Sequence, residues 1–193
     1  MSDTSTLGAI LTGGRSTRMG RDKADVAVEG EAMLDRVAQA IGRIVGRTVL
    51  LGPDRPGWEC WPDGFHAHGP LAGVATALTR TTSERVLLVA VDQPFLRIET
   101  LKSLLAVTSE LPVVPVDRHG TRQVTCAIYP ATIADAAADE ASSDGSIQTL
   151  LDRVSFTPVP PEVWESWGED GRSWFSVDDE TSLVEGVARY MNF

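Results

Sequence analysis

The stretch LGAILTGGRSTRMGRDK, residues 7–23, decides the fold of this chain and is its first candidate ligand site. The apolar start, residues 7–11, has the length and flanks of a buried strand. Gly13 and Gly14 follow it, and glycine lets backbone amides approach a ligand closely because no Cβ stands in the way. Amides that face an anion, with a basic side chain beside them, bind phosphate groups. The stretch therefore predicts a phosphate cradle at the carboxyl end of the first strand.

The cradle carries four basic side chains: Arg15, Arg18, Arg21 and Lys23. It is not a P-loop, because that motif ends in Gly-Lys-Ser/Thr and here Gly20 is followed by Arg-Asp-Lys. It is not the dinucleotide-binding fingerprint, which needs a third glycine at a fixed spacing. The remaining alternative is a basic surface turn, and a net charge of -10 makes four clustered cations an unusual local feature.

Composition and charge narrow the class of protein. The 193 residues suit one domain, which we expect to span residues 1–193. The acidic balance argues against nucleic acid or an anionic membrane surface as the main partner. No apolar run approaches membrane-spanning length, and the first residues, MSDTST, do not resemble a signal peptide. With two cysteines too few for a disulfide framework, we expect a cytoplasmic protein.

Strand and helix signals alternate along the chain. Besides the first strand, the pattern predicts strands at 48–51, 85–91, 113–116 and 124–129. It predicts helices at 33–45, 72–80, 98–105, 131–141, 147–154 and 183–191, with a loop at 53–70 and irregular tryptophan-rich stretches. This order predicts an α/β fold of three layers with a mostly parallel sheet. In such sheets, ligands bind beyond the carboxyl ends of the strands.

Two carboxylates are candidate metal ligands. Asp92 follows the most apolar predicted strand, and a carboxylate near a phosphate loop suits Mg²⁺. The alternative is that Asp92 caps the helix that begins near Ile98. Asp178 precedes the last helix, where it is either a second metal carboxylate or an N-cap in competition with Asp179. The sequence leaves both alternatives open.

The segment Gly69–Gly73, GPLAG, precedes a predicted helix. It is either a tight entry turn or a place where a flat ring lies against bare backbone, which makes Gly73 a candidate binding residue. We find no Ser-His-Asp or Cys-His arrangement that would support nucleophilic catalysis.

The motif L-T-G-G-R-S-x-R-M-G-x-D-K, residues 11–23, resembles the signature of the MobA-like nucleotidyltransferases, and within them the molybdenum cofactor guanylyltransferases. The segments GPLAG at 69–73, D-x-P at 92–94 and Q-x-x-C-A at 123–127 follow in the family's order. The resemblance implies a Rossmann-like nucleotidyltransferase fold and transfer of GMP from GTP to molybdopterin, with release of pyrophosphate.

The resemblance also implies roles for individual residues. Leu11, Thr12 and Gly13, with the adjacent Gly14, bind the nucleotide. Lys23 binds phosphate, and Asp92 binds GTP and Mg²⁺. In the mechanism that we infer from these roles, Arg18 helps Lys23 to hold the departing phosphates. Asp63 corresponds to a further nucleotide-binding aspartate of the family.

The chain departs from the family pattern at several positions. Thr12 stands where the family usually has Ala, and Gly52 stands where some members have a nucleotide-contacting Asn. Residues 175–183 are similar to the family's closing segment, and Ser176 and Asp178 replace two asparagines there. Two alternative functions follow: a cytidylyltransferase or other dinucleotide-cofactor enzyme of the same fold, and a non-catalytic nucleotide-binding paralogue that is a partner in molybdoenzyme assembly.

Overall fold

The computed structural model of the protein describes residues 3–12, 22–65, 69–143 and 145–191. Its strands are β1 (Asp3–Leu11), β2 (Ala27–Val28), β3 (Glu31–Ala32), β4 (Val45–Leu51), β5 (Cys60–Trp61), β6 (Arg85–Ala90), β7 (Val113–Pro115), β8 (Cys126–Pro130) and β9 (Thr157–Val159). Its helices are α1 (Met33–Gly42), α2 (Pro70–Arg80), α3 (Ile98–Ala106), α4 (Ala134–Ser142), α5 (Ile147–Val154), α6 (Pro161–Ser166) and α7 (Glu180–Tyr190). Short 3₁₀ turns occupy Lys23–Asp25, Ala131–Ile133 and Arg172–Trp174.

A seven-stranded sheet in the order β5-β4-β1-β6-β8-β7-β9 forms the centre of the fold. Strand β1 pairs in parallel with β4 and β6, and Leu11 lies opposite Leu51 and Ala90. The carboxyl ends of these three strands therefore meet at one end of the sheet. Strand β8 runs antiparallel to β6, so the residues just before Cys126 reach that same end. The prediction of a mostly parallel α/β sheet is confirmed.

Both faces of the sheet are buried because successive side chains of a strand point to opposite sides. In β6, Leu88 packs into the cluster under α2, α4 and α5, whereas Leu87 and Val89 pack into the cluster under α1 and α3. The unbroken apolar run of β6 is explained by this double coverage. A third, smaller cluster joins the β2–β3 hairpin to α7 through Phe95 and Tyr190, whose ring centroids are 5.4 Å apart.

Several predicted boundaries were wrong. The predicted loop at 53–70 contains β5, which pairs with β4. Helix α2 begins at Pro70, the last residue of that predicted loop, rather than at residue 72. The predicted helix at 33–45 ends at Gly42, because Val45 starts β4 instead. Sequence periodicity missed β5 because that strand has two residues, and it placed the start of α2 two residues late because Pro70 also reads as a loop residue.

The stretch around Trp164 was predicted to be irregular, but it contains β9 and α6. Trp164 is buried, and its indole N–H donates to the Val116 carbonyl at 2.9 Å. In the described residues, no helix is both long and apolar enough to cross a membrane.

Candidate functional site

A cavity of about 350 Å³ lies at the carboxyl end of β1 and β6, where the sheet changes from parallel to antiparallel pairing. The described residues that line it are Leu11, Thr12, Lys23, Gly69, Pro70, Ala90, Val91, Asp92, Gln93, Gln123, Thr125, Trp174 and Ser176. This is the position at which sheets of this type bind ligands. The predicted location of the site is where the structure places a cavity.

Lys23 lies between two carboxylates in this cavity. Its ammonium Nζ is 3.0 Å from Asp92 Oδ2 and 2.6 Å from Asp178 Oδ1. The Lys23 side chain is 15% exposed, whereas that of Asp178 is 56% exposed. The fold therefore brings together three of the residues that the sequence singled out.

The pKa of Lys23 is raised above its ordinary value. Burial acts to lower this pKa, but hydrogen bonds and charge attraction from Asp178 and Asp92 together outweigh it. Lys23 is therefore a cation throughout the physiological pH range. The site therefore contains one positive charge held between two carboxylates.

The capping alternatives for the two carboxylates are both wrong. Arg97 is the N-cap residue of α3, with no side-chain cap, so Asp92 does not cap that helix. Asp179 caps α7, because its Oδ1 accepts the Ser182 amide at 2.9 Å. Asp92 and Asp178 are therefore left to interact with Lys23. The Val177 amide also donates to the Asp92 carbonyl at 2.8 Å, which fixes the closing segment beside Asp92.

Thr12 is accommodated at the carboxyl end of β1 by a local hydrogen bond. Its hydroxyl donates to the Leu51 carbonyl at 3.1 Å, and its amide donates to the same oxygen at 2.9 Å. The Thr12 hydroxyl is thus buried but hydrogen-bonded, which offsets the cost of removing it from water.

Gly73 was predicted to contact the nucleotide, but the structure gives it a packing role. A Cβ at this position would collide with Leu11 Cδ2, so the glycine allows α2 to lie close to β1. It is not among the described residues that line the cavity. Gly69 and Pro70 line it instead, and Gly69 has a φ of +71°, which favours glycine. Gly69, one helical turn before Gly73, is therefore the glycine of this segment that lies at the cavity wall.

The remaining predicted binding residues are not part of the described lining. Asp63 is an exposed residue between β5 and α2, and its contact with a nucleotide stays a prediction. Gly13, Gly14 and Arg18 lie outside the described residues.

The structure adds lining residues that had not been predicted as binding residues. They are polar or aromatic: Gln93, Gln123, Thr125, Trp174 and Ser176. Gln93 is buried, with its Oε1 accepting the Ala90 amide and its Nε2 donating to Thr125 Oγ1, both at 3.2 Å. Gln93 could have been predicted as a lining residue because it follows Asp92 directly in the sequence. No sequence motif next to Trp174 predicts that it lines the cavity.

A buried carboxylate organises the loop that contains Trp174. Glu169 is 3% exposed, and its Oε2 accepts the hydroxyls of Thr100 and Ser173, both at 2.6 Å. Its Oε1 accepts the amides of Asp170, Gly171 and Ser173. These five hydrogen bonds fix residues 168–175 against the first turn of α3. Glu169 thereby sets the position of one cavity wall without lining the cavity itself.

The fold and this site place the chain in a class of α/β proteins with the nucleotidyltransferase architecture. A solved structure titled molybdopterin-guanine dinucleotide biosynthesis protein A, from Archaeoglobus fulgidus, superposes with a TM-score of 0.79 over 93% of this chain and 96% of its own, at 21% identity. A 2-C-methyl-D-erythritol 4-phosphate cytidylyltransferase from Thermus thermophilus superposes with a TM-score of 0.69 over 100% of both chains, at 15% identity. At these identities the likeness shows the fold alone.

Residues 8–157 match the model of the MobA-like NTP transferase domain, so the chain belongs to the MobA-like NTP transferase family. It is 40% identical over 101 residues to a probable molybdenum cofactor guanylyltransferase of Deinococcus radiodurans, which covers 51% of this chain and 52% of the relative. It is 37% identical over 128 residues to a probable molybdenum cofactor guanylyltransferase of Pelotomaculum thermopropionicum, and this match covers 63% of this chain and 62% of the relative. The chain thus spans about half to two thirds of the length of these curated relatives.

Proposed function

We propose that this protein transfers GMP from GTP to molybdopterin, forming the guanine dinucleotide cofactor and releasing pyrophosphate. The observation that carries the proposal is Lys23 held between Asp92 and Asp178 inside a cavity at the carboxyl end of β1. Membership of the MobA-like family and the names of the similar curated proteins support the choice of substrates.

The nucleotide occupies the β1 side of the cavity in this proposal. Leu11, Thr12, Gly69 and Pro70 present backbone there. The Lys23 ammonium binds the phosphates, exchanging its carboxylate partners for phosphate oxygens as the triphosphate enters. Arg18 is proposed to assist Lys23 in holding the departing pyrophosphate.

Asp92 and Asp178 would hold Mg²⁺. Oxygens of both carboxylates already converge on one cationic group, the Lys23 ammonium, so the position suits a cation. No cluster of three or more Asp, Glu, His or Cys side chains fit for a metal occurs among the residues that the structure describes. Two carboxylates agree with the way Mg²⁺ is held, through one or two carboxylates plus substrate phosphates. When bound, the ion neutralises charge that develops on the phosphate oxygens.

In this proposal the acceptor lies against the polar and aromatic residues of the cavity lining. Gln123, Thr125, Trp174 and Ser176 offer an amide, two hydroxyls and an aromatic surface. This chemistry suits a flat heterocycle with hydrogen-bonding edges, which a pterin provides.

The chemical step needs no strong general base. A phosphate oxygen of the acceptor is already anionic, and it attacks the α-phosphorus of GTP. The new P–O bond forms as the bond between the α-phosphorus and the bridging oxygen breaks, and the electron pair leaves with pyrophosphate. Lys23 contributes by positioning the phosphates and neutralising charge, which are the main sources of catalysis in phosphoryl transfer.

The choice among GTP, CTP, ATP and UTP is the part of the proposal that the described residues constrain least. Gly52 has no side chain for a base contact, and its amide donates to the Trp61 carbonyl at 3.1 Å. Pyrophosphate release measured with GTP, CTP, ATP and UTP, each with and without molybdopterin and with Mg²⁺, tests the proposal. We expect release with GTP and molybdopterin together. Preference for CTP would indicate a cytidylyltransferase, and GTP binding without pyrophosphate release would indicate a non-catalytic nucleotide-binding protein.

A further inference from the structure

Arg55, in the loop between β4 and β5, contacts both carboxylates that flank Lys23 in sequence. Its Nη1 lies 2.7 Å from Asp25 Oδ1, and its Nη2 lies 2.5 Å from Asp22 Oδ2. The Arg55 side chain is 21% exposed, so most of it is packed against the protein. The loop after β4 and the turn that contains Lys23 are therefore joined by one guanidinium group.

The turn itself is a single 3₁₀ turn with little internal support. The Asp22 side chain accepts the Ala24 amide through Oδ1 at 2.9 Å, which leaves Oδ2 for Arg55. The backbone adds two hydrogen bonds of 3.1 Å, from Asp25 to Asp22 and from Val26 to Lys23. Ala24 and Val26 are buried and anchor the base of the turn. Asp22 and Asp25 extend to Arg55, while Lys23 extends to Asp92 and Asp178.

We propose that Arg55 is a positioning residue that holds the Lys23 turn in the orientation directed at Asp92 and Asp178. That this orientation also serves nucleotide phosphates rests on the proposed function. A guanidinium group binds two carboxylates through separate nitrogens of one rigid planar fork, whereas a lysine in its place offers a single nitrogen on a flexible stem. Partly exposed ion pairs contribute little to the stability of a fold, so the arrangement has more effect on the direction of Lys23 than on folding.

Arg47 provides a matched control. It is also an arginine beside this loop, and it pairs with Glu59 at 2.5 Å and lies over the Trp61 ring at 5.5 Å. None of its described contacts reaches the Lys23 turn. Arg47→Gln removes an ion pair of a more exposed arginine while leaving the proposed positioning contact in place.

The first test does not depend on any activity. Lys23 and the exposed Lys102 are the two lysines of the chain, so Lys102 is an internal reference for amine reactivity. The protein without ligand is treated with an amine-reactive acetylating reagent, and mass spectrometry measures the labelling of each lysine. We expect Arg55→Gln to raise the Lys23 to Lys102 labelling ratio by about two- to fivefold, the size of effect that the loss of partly exposed ion pairs has. Arg47→Gln should leave the ratio unchanged, and Arg55→Lys should give an intermediate ratio.

An unchanged labelling ratio in Arg55→Gln, at an unchanged unfolding temperature, would overturn the proposal.

The second test measures transfer. We expect Arg55→Gln to lower kcat by about tenfold, because a displaced phosphate-binding group costs rate, while the KM for molybdopterin stays constant. In the double variant Lys23→Ala/Arg55→Gln, activity should equal that of Lys23→Ala alone, because Arg55 acts through Lys23. Additive losses would show that Arg55 acts by itself and would overturn the proposal. A wild-type protein that transfers nothing, with the labelling result as expected, would reject the proposed function and leave the positioning role intact.

Discussion

Lys23 and Asp178 are separated by 155 positions in the sequence, yet Lys23 Nζ and Asp178 Oδ1 lie 2.6 Å apart. The contact joins the segment that follows the first strand to the segment that precedes the last helix. Asp92, at the end of β6, shares the same ammonium at 3.0 Å. Three distant parts of the chain thus meet at one cation, and the proposed chemistry is centred on that point.

Replacing Lys23 should abolish most transfer without unfolding the protein. We expect Lys23→Ala to lower kcat by about 100- to 1,000-fold, the usual cost of losing one group that stabilises developing charge. Lys102→Ala, which removes the exposed lysine of α3, is the matched control and should keep full activity. Pyrophosphate release and circular dichroism measure the two effects. Turnover within about twofold of the wild type in Lys23→Ala would contradict the proposed role.

The two carboxylates should differ from other surface aspartates in their effect on metal dependence. We expect Asp92→Asn and Asp178→Asn each to raise the Mg²⁺ concentration needed for half-maximal transfer by about tenfold or more, because a neutral amide binds a hard cation less strongly. Asp54→Asn, in the exposed loop after β4, is the control. If Asp178→Asn has the same Mg²⁺ dependence as the wild type, Asp178 is only a partner of Lys23.

Removing the Lys23 charge should improve metal binding in the absence of nucleotide. The ammonium occupies the point on which Asp92 and Asp178 converge, so it competes with a divalent cation there. We expect Lys23→Met to bind Mn²⁺ about tenfold more tightly than the wild type, since a nearby positive charge is removed. Electron paramagnetic resonance of free Mn²⁺ measures the affinity. Adding Asp92→Asn to Lys23→Met should remove the gain, and equal or weaker binding by Lys23→Met would argue against a shared cation position.

Glu169 should matter for stability and for the acceptor side of the cavity. We expect Glu169→Ala to lower the free energy of unfolding by about 2–3 kcal/mol, because it leaves buried amides and hydroxyls without a partner. Glu165→Ala, in the exposed pair with Arg118, should change it by less than about 0.5 kcal/mol. Urea denaturation measures both.

Kinetics separate the two roles of Glu169. Because its hydrogen bonds fix the loop that contains Trp174, we expect the milder Glu169→Gln to raise the KM for molybdopterin and leave the KM for GTP unchanged. Equal changes in both KM values would show that Glu169 supports the whole fold rather than one wall of the cavity.

Much of the fold could be predicted from sequence because its signals are local. The apolar run of β6 and the helical periodicity of α5 depend on neighbouring residues, and helix α5 has the predicted limits, residues 147–154. Strand β5 was missed because two residues have no measurable period, and β9 was missed because Pro158 at its centre argues against a strand. Their existence depends on the partners β4 and β7, which the sequence does not name.

The sequence by itself determined that a glycine-rich basic stretch follows a buried strand, and that Lys23 and Asp92 belong to a site beyond the ends of parallel strands. Only the tertiary structure decided that Asp178 contacts Lys23 rather than capping α7, that Gly73 serves packing, and that Trp174 and Ser176 line the cavity. The physical reason is the range of the interactions. Strand ends, glycines and caps are properties of a few adjacent residues, whereas the partner of a charged side chain is set by the order of the strands and by the loops that this order brings together.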